Sequence, residues 1–140
     1  MLVLDTNHLT PIDSGSADGA KLRARLDASG EELAATIVSA EEQLRGWLAQ
    51  INRAHHDAAA LVFAYERLQR RLEFFAEWLV LPFDQEAVEL FARLRSQGIR
   101  IATLDLRIAC ITIAHDATLL TRNTIDFARV PGLKFADWLA

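Results

Sequence analysis

Short apolar runs alternate with longer amphipathic segments along the whole chain. Runs of this length bounded by polar residues are typical of strands that are buried on both faces of a parallel sheet. The pattern predicts five of them, at Leu2–Leu4, Leu33–Val38, Trp78–Phe83, Thr118–Thr121 and Leu133–Phe135.

The intervening segments carry apolar residues at helical spacing. The helix after the second run is predicted to begin at Ser39, with Glu42 three residues later in a capping-box pattern. Asp84 is a predicted N-cap, and Pro11 suits the start of a helix or turn. The predicted helices cover Lys21–Leu26, the segment from Ser39 through Ile51, His56–Glu77, the segment from Asp84 to Gly98, and Thr103–Ala114, with a short turn or helix at Asn123–Ala128 and a polar loop at Asp13–Gly19.

Strands that alternate with helices imply parallel βαβ connections. We therefore expect an α/β protein with a three-layer α/β/α fold and a parallel sheet of about five short strands. No internal repeat or linker divides the sequence, so we expect residues 1–140 to form a single domain.

Composition narrows the class of protein without naming it. No segment approaches the roughly 20 apolar residues of a membrane helix, and the N-terminus lacks the pattern of a signal peptide. The single cysteine, Cys110, lies in an apolar helical pattern and is expected to be a buried structural thiol. These features predict a cytoplasmic protein.

The formal net charge of −4 argues against an obvious nucleic-acid surface. However, all but two of the 15 cationic side chains are arginines, which suit phosphate and carboxylate groups. The two lysines are Lys21 and Lys134. An acidic total can also conceal a group of carboxylates that holds cations, so net charge leaves the question open.

Acidic and amide side chains follow the predicted strands. In a parallel sheet, functional groups collect beyond the carboxyl ends of the strands, near a topological switch point. Five side chains are expected there, namely Asp5, Glu42, Asp105, Asn123 and Asp126. Each also has a local explanation as a helix cap or first-turn residue. Grouped carboxylates repel one another, and oxygen-only ligands favour a hard cation such as Mg²⁺ or Mn²⁺.

Four segments in this order resemble the PIN-domain ribonucleases, and most closely the VapC-like toxins of type II toxin–antitoxin pairs. They are LDTN at Leu4–Asn7, SAEEQLRG at Ser39–Gly46, the sequence of Ala102–Ala114, and TRNTIDFARVPGLKFADW at Thr121–Trp138. The resemblance covers essentially the whole chain. It implies a PIN-like fold and a metal-dependent endoribonuclease that hydrolyses RNA phosphodiester bonds.

The resemblance also implies residue roles. Asp5, Glu42 and Asp105 would bind Mg²⁺ or Mn²⁺, and the fourth acidic position of the family falls on Asn123, whose role Asp126 could take instead. The supporting polar groups would be Thr6, Asn7 and Thr121. Arg45, Arg107 and Arg122 would hold the substrate, whereas Arg67, Arg70 and Arg71 either do the same or form a solvated helix face with Glu66 and Glu73.

Partners follow from the same resemblance, namely an RNA substrate, a cognate antitoxin and a second copy in a homodimer. Some apolar residues of the two middle helices are expected to line an antitoxin groove, the candidates being Trp47, Leu48, Phe63, Tyr65, Phe74 and Phe75. Two alternatives stay open: a receiver-like or phosphatase domain with a metal-bound aspartate, and a non-catalytic RNA- or protein-binding module. The first usually requires a well-placed lysine. His8 is expected to be a surface or packing residue, since a metal-dependent hydrolysis needs no imidazole base.

Overall fold

A computed structural model describes all 140 residues and contains one five-stranded sheet. All neighbouring strands are parallel, and their order is β3-β2-β1-β4-β5, which makes β1 the central strand. The strands are β1 (Leu2–Leu4), β2 (Leu33–Thr36), β3 (Leu79–Leu81), β4 (Thr118–Leu120) and β5 (Lys134–Ala136). The predicted α/β class and its five parallel strands are confirmed.

Seven helices connect and cover the strands. They are α1 (Thr6–Ser14), α2 (Ala17–Ser29), α3 (Ile37–Arg53), α4 (Ala58–Ala76), α5 (Gln85–Ser96), α6 (Thr103–Ala114) and α7 (Thr124–Phe127). None of them is both long and apolar enough to cross a membrane. Asp84 caps α5 by accepting a hydrogen bond from the Ala87 backbone N–H at 3.1 Å, as the sequence predicts.

Each face of the sheet has its own hydrophobic core, because successive side chains of a strand point to opposite faces. Val3 and Leu119 pack with α5 and α6 on one face, whereas Leu4 and Leu120 pack with α1 and α2 on the other. The three layers follow from this alternation. Cys110 is buried, and burial raises the pKa of its thiol to about 11, in keeping with the structural role expected for it.

The predicted loop at Asp13–Gly19 is wrong, because α1 and α2 occupy nearly all of it and only Gly15 and Ser16 lie between them. Pro11 lies inside α1 rather than at its start. Gly19 is buried against this helix, and a Cβ built on it would lie 1.9 Å from the Pro11 carbonyl oxygen. The close approach of α1 and α2 therefore depends on a glycine at this position.

The predicted start of α3 at Ser39 is also wrong. Thr36 is the N-cap, and its side chain accepts a hydrogen bond from the Ser39 backbone N–H at 3.1 Å. The strand therefore ends two residues earlier than its apolar pattern indicates, because Ile37 and Val38 continue that pattern as the first residues of the helix. Glu42 lies in the second turn of α3 rather than the first, so it is not a capping-box residue.

Candidate active site

The candidate site lies where the order of the strands reverses. The chain passes from β1 to β2 and β3 on one side, whereas β4 and β5 lie on the other. Leu4 of β1 is paired with Leu120 of β4. Asp5 and Thr121, the next residue of each strand, therefore lie side by side at the carboxyl edge, which is where open α/β sheets bind ligands.

Asp5 is buried and bonded through both carboxylate oxygens. Its Oδ1 accepts from the Thr6 backbone N–H at 2.8 Å, which caps α1. Its Oδ2 accepts from the Thr121 hydroxyl at 2.9 Å. Asp5 is thus a helix cap, as its local sequence suggests. The cap uses only Oδ1, and Oδ2 faces the end of β4. These bonds hold the carboxylate in one orientation.

Asn7 and His8 extend this network to the C-terminal segment. The Trp138 backbone N–H donates a hydrogen bond to His8 Nε2 at 3.2 Å, so the neutral His8 ring carries its proton on Nδ1. The Nδ1–H group in turn donates a hydrogen bond to Asn7 Oδ1 at 2.9 Å. The amide nitrogen of Asn7 then faces Asp5 Oδ2 at 3.5 Å. Burial lowers the pKa of His8 to about 4, against the opposing effect of Asp137. His8 is therefore a buried, neutral packing residue, one of the two roles expected for it.

Glu42 reaches the site from α3 and is exposed. Its Oε1 accepts a hydrogen bond from the Thr6 hydroxyl at 3.2 Å, which links the second turn of α3 to the first turn of α1. Its neighbour Glu41 instead pairs with Arg45, one turn later on the same helix. Of the two consecutive glutamates, Glu42 is the one connected to Asp5 through Thr6.

Asp105, Asn123 and Asp126 form the other side of the site. Asp105 lies in the first turn of α6, as predicted, and does not cap it. Asn123 does not cap α7 through its side chain; instead its Nδ2 donates to Asp105 Oδ2 at 3.3 Å and to Asp126 Oδ2 at 3.2 Å. The amide nitrogen, rather than the oxygen expected of a ligand, thus faces the two carboxylates.

The acidic side chains of the site are close enough to influence the ionisation of Asp105. Burial raises the pKa of Asp105 to about 6, and the negative charges of Asp5, Glu42 and Asp126 contribute in that order, whereas the bond from Asn123 opposes them. Burial also raises the pKa of Asp5, while its hydrogen bonds with Thr121 and Thr6 act in the opposite direction. Four carboxylates from distant parts of the sequence thus share one rim of the sheet.

The chemistry of this rim fits a hard cation that keeps part of its water shell. No three His, Cys, Asp or Glu side chains converge closely enough to hold an ion directly among themselves. Mg²⁺ commonly keeps several waters and is bound through one or two carboxylates. The carboxylates offer oxygen ligands only. Burial and, after it, the neighbouring negative charges raise the pKa of Asp105, and a cation would offset the repulsion among those charges.

The predicted substrate arginines differ in position. Arg122 is exposed, and its backbone N–H donates to Asn7 Oδ1 at 3.1 Å, beside the site. Arg45 is engaged by Glu41, and the guanidinium of Arg107 lies 5.7 Å from the Phe91 ring centre, between α5 and α6. Only Arg122 is joined to the hydrogen-bond network around Asp5.

The arginines of α4 do not have the partners expected for a solvated helix face. Arg71 pairs with Asp13 of α1, rather than with Glu66 or Glu73, and donates to Gln43 Oε1 at 3.1 Å. Sequence reasoning missed this connection between α1, α3 and α4. A signal was present in the sequence, because Arg70 and Arg71 follow Arg67 by three and four residues and such residues lie on the same face of a helix.

Neither lysine is placed for the receiver-like alternative. Lys134 begins β5 and pairs with Asp116, at the edge of the sheet opposite Asp5. Lys21 is an exposed residue of α2.

The expected groove residues are divided between core and surface. Phe75 is buried in the core beneath the sheet, whereas Trp47 and Phe74 are partly buried. Leu48, Phe63 and Tyr65 are each at least half exposed, as are Val62 and Leu72 of the same helix pair. Only part of the expected set is therefore available to a partner.

Comparison with known families and proteins agrees with this architecture. A family model of the PIN domain matches residues 2–133. A curated relative, Ribonuclease VapC1 of Rickettsia felis, is 44% identical over 59 residues, which are 39% of this chain and 44% of that protein. Ribonuclease VapC2 of the same organism is 33% identical over 78 residues, covering 52% and 58% of the two chains. The chain spans about half the length of these curated relatives.

Solved structures share the fold over nearly the full length. A chain of VapBC2 from Rickettsia felis, bound to a DNA fragment from its promoter, has a TM-score of 0.70 and 24% identity over 98% of each chain. A chain of FitAcB from Neisseria gonorrhoeae has a TM-score of 0.67 and 26% identity over 99% of each chain.

Proposed function

The chain belongs to the PIN domain family, and from this premise we propose that it is a metal-dependent endoribonuclease acting as the toxin of a toxin–antitoxin pair. One observation carries the proposal: Asp5, Glu42, Asp105 and Asp126 come from separate elements and meet at one rim, where burial, followed by the charges of the other three carboxylates, raises the pKa of Asp105 to about 6. The curated relatives named as ribonucleases support RNA as the substrate.

In this proposal Asp5, Glu42 and Asp105 would hold Mg²⁺ or Mn²⁺ partly through the water that the ion keeps, and Asp126 would supply the fourth carboxylate in the same way. A bound cation would lower the pKa of its water and stabilise the charge that develops on the phosphate. Asn123 acts differently, because its Nδ2 donates to Asp105 and Asp126 and so reduces their mutual repulsion.

The other residues of the site orient these ligands. Thr121 and the Thr6 backbone N–H fix the two oxygens of Asp5, while the Thr6 hydroxyl steadies Glu42. Asn7 Oδ1 accepts a hydrogen bond from His8 Nδ1, which turns the amide nitrogen of Asn7 toward Asp5. Arg122 is exposed at the edge of this network, where its guanidinium can bind a substrate phosphate. Rigid ligands of this kind increase the affinity for metal ions.

Replacement of Asp5 by Asn tests the proposal. Asn retains the volume of Asp and is an equally good N-cap, so the fold should survive. Loss of the ligand charge should reduce Mg²⁺-dependent cleavage of a labelled RNA by at least about 100-fold. Asp27→Asn is the matched control, because Asp27 is exposed on α2 and forms only a surface pair with Arg23.

Chelation provides the second arm of the test. EDTA should abolish cleavage by the parent protein, and Mg²⁺ or Mn²⁺ should restore it. The proposal fails if the folded Asp5→Asn protein cleaves as fast as the parent, or if cleavage continues unchanged in EDTA. In bacteria, expression of the parent should slow growth, and Asp5→Asn should relieve the effect.

The partner in this proposal is an antitoxin protein, with a second copy of the chain in a homodimer. Solved structures with the same fold support the first, since one is named as a toxin–antitoxin complex from Klebsiella pneumoniae and another as a member of the VapBC family of toxin–antitoxin systems from Mycobacterium tuberculosis. Exposed apolar side chains on α3 and α4, such as Leu48, Phe63 and Tyr65, provide a surface for either. Co-expression with a small protein encoded beside the gene should give a stable complex that lacks RNA cleavage.

A further inference from the structure

A polar cleft of about 820 Å³ adjoins the carboxylate rim between α1, α3 and α4. Only two of its 11 lining residues, Trp47 and Phe74, are hydrophobic. Thr6 also lines the cleft and donates to Glu42, so the cleft is continuous with the candidate site. A polymer bound at the carboxylates can therefore continue directly into the cleft.

The cleft is locally basic in an acidic protein. Three arginines of α4 line it, against the two carboxylates of Asp13 and Glu73. Arg71 is neutralised by Asp13, but Arg67 and Arg70 take part in no ion pair. These two guanidinium groups keep their charge available for an anion.

The wall of the cleft also contains an unpaired donor. Gln43 Nε2 is buried and has no hydrogen-bond partner, although Gln43 Oε1 accepts from Arg71. Leaving a buried donor unpaired is unfavourable, so most such groups in native proteins have a partner. Because this nitrogen is closed off from solvent, a rotation of the Gln43 side chain would bring it to the oxygen atoms of a ligand in the cleft.

The cleft also contains an aromatic surface, in addition to its arginines and its unpaired amide. Trp47 lines the cleft and is only partly buried, and its ring is supported edge-on by Phe63 at 6.0 Å between ring centres. Arg67, which also lines the cleft, lies over the same Phe63 ring at 4.9 Å from the ring centre. Alternating cationic and aromatic groups are characteristic of surfaces that bind single-stranded nucleic acid.

We propose that this cleft binds the RNA nucleotides that flank the cleaved phosphodiester. Arg67 and Arg70 contact backbone phosphates, Gln43 donates to a sugar or phosphate oxygen, and a base stacks on Trp47. The proposal rests on the ribonuclease function proposed above. An acidic peptide offers oxygen atoms to the guanidinium groups and the amide but no base to stack on Trp47, whereas RNA matches the charge, the donor and the aromatic ring together.

Binding can be measured apart from cleavage. A labelled RNA of about 12 nucleotides, within the usual range for single-strand sites, is titrated with protein in EDTA, and its integrity is checked on a gel. The double variant Arg67→Gln, Arg70→Gln should bind at least tenfold more weakly. The slope of log affinity against log salt should fall in magnitude by about 1.4, since each lost phosphate contact contributes about 0.7.

Two further variants make the test specific. Arg23→Gln with Arg93→Gln removes the same charge from exposed positions on α2 and α5 and should leave affinity within about twofold. Trp47→Leu should weaken binding about tenfold without changing the salt slope, because stacking is uncharged. Urea unfolding midpoints confirm that each variant is folded.

The possible results separate the two proposals. If the cleft variants bind RNA as tightly as the control pair, the cleft is not an RNA site. The same conclusion follows if they lose affinity only for a labelled poly-glutamate peptide. If the parent binds RNA through the cleft but cleaves none in Mg²⁺ or Mn²⁺, the proposed catalysis fails and the binding site stands.

Discussion

Replacement of Asp105 by Asn should make the protein more stable at neutral pH while it removes activity. The ionised form of Asp105 is destabilised in the folded protein. Burial and the charges of Asp5, Glu42 and Asp126 raise its pKa from 3.8 to about 6. Asn has nearly the same shape, and its side-chain oxygen can accept the Asn123 bond. The substitution removes the repelled charge and little else.

The size of the effect follows from the pKa. A shift of about two units corresponds to about 3 kcal/mol at 1.36 kcal/mol per unit. Because the Asp105 side chain is partly exposed, solvent screening reduces the expected gain to about 1 kcal/mol. A group whose pKa is raised by folding binds its proton more tightly in the folded state. The parent therefore loses the contribution of Asp105 to its stability as the pH rises from about 4 to about 6, and the variant lacks this particular loss.

Urea unfolding at several pH values, in EDTA, measures this difference. We expect the variant and parent to have similar free energies of unfolding near pH 4, with the variant more stable above pH 6. Asp27→Asn, on exposed α2, should give a difference that is small and independent of pH. RNA cleavage in Mg²⁺ should be lost in Asp105→Asn alone.

Two results would refute this reasoning. A variant that is less stable than the parent at neutral pH would show that the carboxylate is a stabilising group. A stability difference that does not change with pH would show that folding does not raise the pKa of Asp105.

Other substitutions test packing, capping and the orientation of the site. Gly19→Ala should lower the free energy of unfolding by about 2 kcal/mol, because the new Cβ would collide with the Pro11 backbone. Gly46→Ala should raise it by about 0.5–1 kcal/mol, because nothing lies within 4 Å of the new Cβ and alanine favours the helix α3. Equal urea midpoints for the parent and both variants would contradict both predictions. Asp84→Ala should lower the free energy of unfolding by about 1 kcal/mol through loss of the α5 cap, and an unchanged midpoint would count against that role. Thr121→Val should reduce RNA cleavage about tenfold by freeing the site aspartate, with Thr121→Ser restoring it; equal rates for all three proteins would exclude this orienting role.

The fold class was predictable because its evidence is local. Apolar runs of strand length and helical spacing between them establish alternating strands and helices, and parallel connections follow. The errors arose where two local patterns overlap. Ile37 and Val38 extend the apolar run of β2 but belong to α3, because Thr36 caps the helix first. Pro11 suggested the start of a helix, but Asp5 is the N-cap of α1 and Pro11 lies inside that helix.

The candidate site was partly predictable for the same reason. The sequence placed Asp5 and Asp105 beside strand ends and helix starts, and the structure has both at the rim. The orientation of Asn123 was not predictable. An amide can present oxygen or nitrogen, and only the proximity of Asp105 and Asp126 favours the nitrogen. The roles of these residues in catalysis remain predictions.

The sequence by itself determined the order of the strands and of the helices other than α1, because hydrophobic periodicity and capping act over a few residues. Only the tertiary structure decided which side chains meet across the chain. Thr121 lies 116 residues from Asp5, and Arg71 reaches Asp13 over 58. Such contacts depend on strand order and helix packing, which the local pattern leaves free. The LDTN segment thus indicated a strand followed by a capping aspartate, and its neighbours on β4 and α6 made that aspartate part of a carboxylate rim.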